Sequence, residues 1–435
     1  MGPRDSTAGQ YQGDSVKSAI EANSAGPTEK SSWTVTILAG LANYIDAGSI
    51  VASSVALALW AELYHLSPSF VGVIGAFSAN AISAGVGALI GGRLCDKFGR
   101  KKIYQYDMLF YAFGMAWLVC ANQPWMIVVG SVIVGLAVGA DIPASWSLIA
   151  EMAPDGARGK HSGVAQILWN LGPIVVLALS LLLSPFGLLG MRIVFAHLAI
   201  LALALTLLRS RMQESQLWLD AKVRNEEVPG GAAVSWRELL QPRHIKSMAF
   251  LIGMYGLWNL WAGTSGFFFP YILRTVGALS QATSVMVQSV GCVVGMASIF
   301  FVFMRLADRV DQRLLFGISA LIQIGGMALL ALFPLTVPVA VAYLSLMAFG
   351  GGFGAQSFFQ LWSAELFPTL IRSTAQGVTF AVVRIGLGVW SFFVPILTAT
   401  GFHMLAWILV GFLIASGLVG WIWAPRPEAR YFDGR

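Results

Sequence analysis

The stretch GGRLCDKFGRKK, at residues 91–102, opens with two glycines and carries one acidic and five basic residues at the end of a long apolar segment. A related stretch, MRLADRVDQR, follows another apolar segment at 304–313. A second pair of related stretches, AEMAPDGARGK and AELFPTLIRST, lies at 150–160 and 364–374. Motifs that recur at equivalent places in the two halves of an apolar chain indicate a duplicated membrane fold.

The composition is that of a membrane protein with many spans. Of the 435 residues, 57% are hydrophobic and 11% are charged, and the mean hydropathy is +0.73. Soluble domains carry about 25% charged residues, and a helix needs about 20 apolar residues to cross the hydrocarbon. The sequence therefore predicts an all-α membrane protein of twelve transmembrane helices in two pseudo-symmetric six-helix bundles. The predicted spans lie near 33–61, 70–92, 103–121, 125–150, 161–184, 191–209, 247–273, 284–304, 315–334, 337–363, 374–399 and 403–424.

The basic residues indicate the orientation of the chain. Lys and Arg are concentrated in alternate connections, such as 93–102, 209–246 and 305–313. Cytoplasmic loops carry such an excess, so we expect both termini to be cytoplasmic and the protein to lie in the plasma membrane. The predicted division is a polar, disordered tail at 1–32, a first bundle at 33–209, a cytoplasmic linker with short helices at 210–246, a second bundle at 247–424 and a tail at 425–435.

The motifs resemble those of the major facilitator superfamily. The spacing of Gly92, Leu94, Asp96, Gly99, Arg100 and Lys101 is similar to the signature that this superfamily carries between spans two and three. The stretches at 150–160 and 364–374 resemble the E-x-x-P…R-G and E-x-F-P…R elements of its sugar-porter and metabolite–proton symporter families. Glu214, Ser215, Trp218 and Leu219 resemble the box that follows span six in those families. The resemblance covers the membrane region and implies a secondary transporter that works by alternating access.

The chain departs from the sugar-porter pattern at three places. Ser131 stands where span four of that family carries an arginine involved in proton coupling, and Gln360 stands where span ten carries a tryptophan. The span-seven glutamine pair is replaced by YGLWNLWAGTSG at 255–266. Proton-coupled symport of a small polar metabolite, a sugar or polyol by resemblance, is the expected function. A proton-coupled carrier of an organic acid or aromatic carboxylate and an uncoupled facilitator are the alternatives.

Charged motif residues are expected to gate one end of the fold. An acidic group at position 96 can meet an arginine or a helix N-terminus of the other half, and pairs of this kind would open and close during alternating access. The alternative is that these charges only set the topology. The expected gating residues are Gly92, Asp96, Gly99, Arg100, Lys101, Glu151, Arg158, Glu214, Asp308, Arg313, Glu365 and Arg372.

Asp46, Asp141 and Arg384 are charged residues expected deep in the membrane, roughly 15–20 Å from the cytoplasmic ends of their spans. Such a charge costs about 2.5–3.5 kcal/mol on insertion scales and usually marks an ion or proton route. Asp46 shares a polar stripe with Asn43 and other small polar residues, which predicts that it faces the cavity. Because Ser131 removes the usual partner, Arg384 or Asp141 is expected to complete a proton-coupling site. A permanent structural pair is the alternative.

Substrate contacts are expected from amide and aromatic side chains on the spans that line the cavity of this fold. Amides donate and accept hydrogen bonds, and aromatic faces stack on sugar rings. The tryptophans could instead lie at the lipid interface. The candidates are Gln166, Asn170, Trp258, Asn259, Trp261, Gln288, Gln356, Gln360 and Trp362. Arg384 would be the counter-charge of a carboxylate.

Other classes of function lack support in the sequence. A receptor would need a sizeable signalling domain, and an enzyme would need a catalytic constellation or metal ligands. The three cysteines and five histidines are scattered along the chain, so we expect no metal site. The expected partners are a small-molecule solute, protons and the lipid bilayer. We expect no cofactor and no nucleic acid, and a functional monomer.

Overall fold

The computed structural model describes residues 29–154, 156–210, 212, 214–227 and 236–424, and the regular secondary structure within them is helical. The tail predicted at 425–435 and most of the one at 1–32 lie outside these residues. In the first half, span 1 is Glu29–Leu63, span 2 is Pro68–Ala76 with Ile82–Phe98, span 3 is Arg100–Cys120, span 4 is Pro124–Met152, span 5 is Arg158–Leu182 and span 6 is Leu188–Arg209. The linker contributes the helix Gln216–Glu227 and the 3₁₀ turn Trp236–Leu240.

The second half repeats this arrangement with more interruptions. Span 7 is Pro242–Gly263, the π-helical turn Thr264–Phe268 and Phe269–Thr275, and span 8 is Gln281–Ser298, the π-helical turn Ile299–Phe303 and Met304–Leu306. Span 9 is Gln312–Leu332, span 10 is Val337–Gly352 with Ala355–Glu365, span 11 is Arg372–Thr400 and span 12 is Phe402–Trp423.

The twelve predicted spans are confirmed. Nine helices of the described part are long and apolar enough to cross a membrane. The other three are spans 2 and 7, which are interrupted, and span 3, which begins with three basic residues. Irregular backbone at membrane depth is tolerated where it lines a cavity, and π-helical turns occur frequently at functional sites. The interruptions of spans 2 and 7 therefore indicate where a site is to be found.

The two bundles meet most closely where span 2 packs on span 11. A Cβ atom added to Gly92 would lie 2.3 Å from the Ser373 carbonyl oxygen, and one added to Gly377 would lie 2.3 Å from the Ala88 carbonyl oxygen. Small residues let membrane helices approach to backbone contact. Spans 2 and 11 can come together at this end of the fold only because both positions lack a side chain.

Candidate functional site

A cavity of about 290 Å³ lies between the two bundles. Ligand pockets usually have about 300–1,000 Å³, so this one suits a single small molecule. Spans 1, 2, 5, 7, 8, 10 and 11 contribute to its lining. Its polar and aromatic lining residues are Asn80, Gln166, Trp169, Asn170, Trp258, Asn259, Trp261, Ser265, Phe269, Gln288, Gln356 and Arg384.

Seven of the nine expected substrate residues lie at the cavity wall: Gln166, Asn170, Trp258, Asn259, Trp261, Gln288 and Gln356. Gln360 stands behind Gln166, whose Nε2 donates a hydrogen bond to the Gln360 Oε1 across the two bundles. The prediction for Trp362 is wrong. Its Nε1 donates to Gln312 Oε1 at 2.6 Å, and its ring stacks on Phe358 inside the second bundle. On a helix, residues four apart share a face and residues two apart do not, so Trp362 turns away from the face of Gln356 and Gln360.

Four polar or aromatic wall residues escaped the sequence analysis. Asn80 and Ser265 belong to the interruption of span 2 and the π-helical turn of span 7, where helical periodicity does not apply. Phe269 begins the helix that follows this turn, and Trp169 directly precedes Asn170 in the apolar segment of span 5. The breaks inside apolar runs were therefore the available signal for three of the four.

Hydrogen bonds fix the orientation of the aromatic walls. The Trp258 indole donates to Gln323 Oε1 at 2.7 Å, and the Trp261 indole donates to the Tyr343 hydroxyl at 2.9 Å. With these N–H groups satisfied inside the second bundle, the ring faces remain for contact with a bound molecule. The Tyr255 hydroxyl donates to Gln356 Oε1 at 2.6 Å and fixes that amide in the same way.

Arg384 is the only charged side chain at the wall among the described residues. Its Nη1 donates to the Asn80 backbone oxygen at 2.9 Å and to the Asn80 side-chain oxygen, and its guanidinium carbon lies 4.5 Å from the centroid of the Phe380 ring. Of the two partners expected for Asp46, Arg384 therefore does not pair with it in this structure. Arg384 bridges spans 11 and 2 through neutral groups.

Asp46 is fully buried, but the cavity is lined on this span by Ala47, Ile50 and Val51. The expectation that Asp46 faces the cavity is wrong. A polar stripe identifies a preferred face of a helix but not the neighbour that covers it, and here that neighbour is the interior of the first bundle. Both carboxylate oxygens of Asp46 are buried without a hydrogen-bond donor in the described part of the chain.

Asp141 lies in the same bundle interior and pairs with an arginine that the sequence analysis missed. Arg209 Nη1 lies 3.0 Å from Asp141 Oδ1 and 3.3 Å from Asp107 Oδ1. Asp46 is close enough to these three groups to interact with their charges. Of the expected partners of Asp46, Asp141 is thus nearby and Arg384 is not. We call Asp46, Asp107, Asp141 and Arg209 the acidic cluster.

The charged motifs of both halves meet at one end of the fold, which we call the motif end (residues 96–101, 151 and 365–374). Asp96, at the end of span 2, accepts hydrogen bonds from the Ser373 N–H at 3.3 Å, the Thr374 N–H at 2.6 Å and the Thr374 hydroxyl at 2.7 Å. These N–H groups belong to the first turn of span 11, where a carboxylate satisfies free donors and favours the helix dipole. Asp96 therefore links the two bundles.

Arg100, Glu151 and Arg372 form a buried ion-pair chain across the same boundary. Glu151 Oε1 accepts from Arg100 Nη2 at 3.0 Å and from Arg372 Nη1 at 2.8 Å. Arg100 also pairs with Asp96 at 3.2 Å and donates to the Thr369 carbonyl of the second half at 2.7 Å. Four of the twelve expected gating residues thus meet here, and Glu151 lies between two arginines from opposite bundles.

The second copy of the motif makes the equivalent contact with the first bundle. Asp308, which follows span 8, accepts from the Gly159 N–H at 3.1 Å in the first turn of span 5. Arg158 acts on Asp308 through its charge. Arg313 does not contribute as expected, because its guanidinium lies over the Trp421 ring of its own bundle, 5.5 Å from the ring centroid. Glu365 is buried at the end of span 10.

Glu214 ties the linker to the motif end. Its carboxylate accepts from the Arg100 N–H at 3.0 Å and the Lys101 N–H at 3.1 Å, at the start of span 3. Gly99 has φ +99° there, and a Cβ on it would lie 2.2 Å from Glu214 Oε2. Glycine adopts positive φ without strain, so this position both permits the turn and leaves room for the carboxylate.

The two bundles also touch on the opposite side of the cavity, with fewer polar contacts. The Ser54 hydroxyl of span 1 donates to the Phe267 carbonyl in the π-helical turn of span 7 at 2.7 Å. Beside it, the Phe268 ring fills the space over Gly75, where a Cβ would approach within 2.6 Å. An ionic network thus joins the two bundles on one side of the cavity, and mainly aromatic packing joins them on the other.

The comparisons with known proteins agree with this architecture. The family model of the Major Facilitator Superfamily matches residues 33–391. The chain is 44% identical over 403 residues to the minor myo-inositol transporter IolF of Bacillus subtilis, with 92% of each chain covered. It is 24% identical to the glucose transporter GlcP of Staphylococcus epidermidis, covering 81% of this chain and 85% of that one.

A solved structure shares the fold. The proton:xylose symporter XylE bound to 6-bromo-6-deoxy-D-glucose superposes with a TM-score of 0.75 at 18% identity, covering 91% of this chain and 96% of that chain. The family match spans both bundles, and the repeated motifs, the central cavity and the cross-bundle network occupy the places that this architecture predicts. The chain belongs to the major facilitator superfamily.

Proposed function

We propose that this transporter takes up a cyclic polyol or a sugar by proton symport. The observation that carries the proposal is the cavity, whose wall combines several amides with indole rings fixed by hydrogen bonds. Amides can donate to and accept from neighbouring hydroxyl groups, and aromatic faces pack on the C–H face of a saturated ring. The similarity to a myo-inositol transporter supports the same class of solute.

Alternating access would operate by making and breaking the contacts between the two bundles at the two ends of the cavity. The motif end is cytoplasmic in this proposal, because the basic connections lie there and cytoplasmic loops carry such an excess. Outward opening would separate the Ser54 end while the ionic network holds, and inward opening would break the network. The chain would act as a monomer in the plasma membrane, with both termini cytoplasmic, driven by the proton gradient without a cofactor.

Transport in proteoliposomes tests the proposal. With an inward proton gradient, labelled myo-inositol should accumulate above its equilibrium level, the external medium should become more alkaline, and a protonophore should abolish accumulation. If the solute only equilibrates across the membrane and the protonophore does not change its uptake, the protein is an uncoupled facilitator and the symport proposal is wrong. Absence of uptake or competition by any polyol or sugar in a panel would end the assignment of the solute.

Arg384 favours a second candidate, a proton-coupled carboxylate carrier. It places a guanidinium at the cavity wall, and no carboxylate lines that wall in the described residues. An organic acid could pair with it bidentately. Competition of myo-inositol uptake by a panel of cyclic carboxylates separates the candidates. Stronger competition by the acids than by the polyols, lost in Arg384→Gln, would favour the carboxylate carrier.

A further inference from the structure

The acidic cluster is enclosed within the first bundle and does not line the cavity. Asp46 comes from span 1, Asp107 from span 3, Asp141 from span 4 and Arg209 from the end of span 6. The exposed fractions are 0% for Asp46, 6% for Asp107, 0% for Asp141 and 1% for Arg209. Because four spans contribute one residue each, the cluster is built by the packing of the bundle and not by one local motif.

The charges of this cluster do not balance if every acid is ionised. Three carboxylates against one guanidinium would leave two net negative charges in a buried volume. The effective penalty for an unpaired buried ion is several kcal/mol, and buried acids usually avoid it by binding a proton. In the described part of the chain, the other titratable groups that interact with the cluster are the hydroxyl groups of Tyr104 and Tyr111 and the thiol of Cys95, which carry no positive charge. Arg100, which lies near Cys95, is paired with Asp96 and Glu151.

The geometry shows where a proton fits. Asp107 and Asp141 each direct Oδ1 at the same Arg209 Nη1, at 3.3 and 3.0 Å. Their Oδ2 atoms are buried without a donor in the described part of the chain. Two buried carboxylates that contact one guanidinium nitrogen repel each other when both are ionised, whereas one proton between them converts the repulsion into a hydrogen bond.

We propose that Asp107 and Asp141 share one proton against the fixed charge of Arg209, and that this pair is the site that the transported proton occupies. The inference rests on the proposed symport for its role in transport. Binding converts one carboxylate into a carboxylic acid, whose O–H donates to the other carboxylate, and release returns the same proton. Asp107 and Arg209 are the residues that this inference adds to the proton path.

Span 1 connects this site with the solute. Asp46 faces the other three residues of the cluster, while Ala47 and Val51, its near neighbours in sequence, line the cavity. A rotation or tilt of span 1 on solute binding would move the Asp46 carboxyl relative to the pair and change its proton affinity. Arg209 stands at the end of span 6, and its Nη1 donates to the Tyr104 carbonyl in the first turns of span 3 at 2.8 Å, so the cluster extends towards the motif end.

Infrared spectroscopy of the purified full chain in lipid tests proton occupancy without transport. The wild type should show at pH 7 a carboxylic-acid C=O band from a buried group that exchanges slowly with deuterium. Asp107→Asn and Asp141→Asn should each remove the contribution of the shared proton from this band, because either change removes the partner that holds the proton, whereas a contribution from the fully buried Asp46 would remain. Asp220→Asn, which alters an exposed linker acid, should leave the band unchanged. A band of unchanged intensity in both cluster variants would overturn the proposal.

Solute binding and accumulation complete the test. Because the cluster is separate from the cavity, Asp107→Asn should bind labelled myo-inositol within about 2-fold of the wild type, and that binding is also the check that the variant has folded. It should lose accumulation driven by a proton gradient while keeping solute exchange. Should Asp107→Asn misfold, Asp141→Asn carries the same test. Normal proton-driven accumulation by the folded variant would refute the site.

The two proposals fail in different ways. If the band depends on Asp107 and Asp141 but wild-type uptake ignores the proton gradient, the symport proposal falls and the proton has no role in transport. If wild-type uptake is proton-driven but the band is independent of both residues, the symport proposal stands and the shared-proton site falls.

Discussion

The Asp96 carboxylate of the first bundle caps the helix that begins beside Thr374 in the second, accepting both the backbone N–H and the hydroxyl of that threonine. Asp308 of the second bundle accepts the Gly159 N–H at the start of span 5 in the first. Each copy of the repeated motif thus caps a helix of the other half. The stability of the closed motif end therefore depends on contacts that the separation of the bundles removes.

Replacing Asp96 with asparagine should weaken the closed motif end. The amide keeps one acceptor oxygen, but the charge that interacts with the helix N-terminus and with Arg100 is lost. Loss of a cap costs typically about 1 kcal/mol, which corresponds to a roughly 5-fold shift towards the open form. Distances between spin labels at the motif end of spans 5 and 11 measure this shift.

Asp308→Asn is the symmetric control for that experiment. It should shift the same distances in the same direction but less, because Asp308 is more exposed and forms no buried ion pair in the described part of the chain. Unchanged distances in Asp96→Asn would contradict the capping role.

Gly92→Ala should push spans 2 and 11 apart. The new Cβ would meet the Ser373 carbonyl oxygen at 2.3 Å, a backbone atom that cannot yield without moving span 11. Overpacking of this kind costs typically about 1–3 kcal/mol, and it acts on the closed state in particular. The labelled distances should lengthen and the transport rate should fall.

Gly386→Ala is the matched control on span 11, because a Cβ there meets nothing within 4 Å. It should transport as the wild type does. If Gly92→Ala also behaved as the wild type, the close contact of the two helices would not be needed for transport.

Glu151→Gln should lower the thermal stability and the uptake rate more than the double variant Glu151→Gln with Arg372→Gln does. The single change leaves two buried guanidinium groups beside a neutral amide, and breaking a buried pair in this way costs about 3–5 kcal/mol. Removing Arg372 as well eliminates a guanidinium whose contact with Glu151 the first change weakens, while Arg100 keeps its pair with Asp96. Thermal unfolding and initial uptake rates of the two variants give the comparison, and equal damage in both would show that Glu151 and Arg372 do not depend on each other.

Gln166→Ala should raise the Kd for myo-inositol by about 10-fold or more. The change removes a cavity amide and leaves the Gln360 oxygen without its donor, which typically costs about 1–3 kcal/mol. Gln123→Ala, at an exposed position before span 4, is the control and should keep the wild-type Kd. Equilibrium binding of the labelled solute measures both, and an unchanged Kd in Gln166→Ala would remove this residue from the site.

The sequence predicted the spans, the repeated motifs and most of the polar and aromatic residues of the cavity wall, because each leaves a local trace. Apolar length reveals a span, and an amide in an apolar run such as Asn170 reveals a site. The contacts of Asp96 with the other half followed from the motif spacing and the resemblance. These signals need no knowledge of which helices touch.

The acidic cluster could not be predicted in the same way. Arg209 was read as a flanking charge of span 6, and Asp107 lies one turn beyond the basic start of span 3. Their relation to Asp46 depends on how four spans rotate about their axes. A rotation of about 100° separates neighbouring positions on a helix, and that difference places Ala47 at the cavity and Asp46 at the cluster.

The single hydrogen bond from Ser54 to the Phe267 carbonyl has a kinetic meaning. Several buried charge pairs hold the motif end together, and these charges must lose their water again each time the bundles close there. The opposite end is held mainly by phenylalanine packing and by the Ser54 hydrogen bond. Separating aromatic side chains demands little reorganisation of charge, so the gate on the Ser54 side can fluctuate while the other remains shut. We therefore expect the Ser54 side to open and close faster than the motif end, which would give the carrier a preferred order of opening.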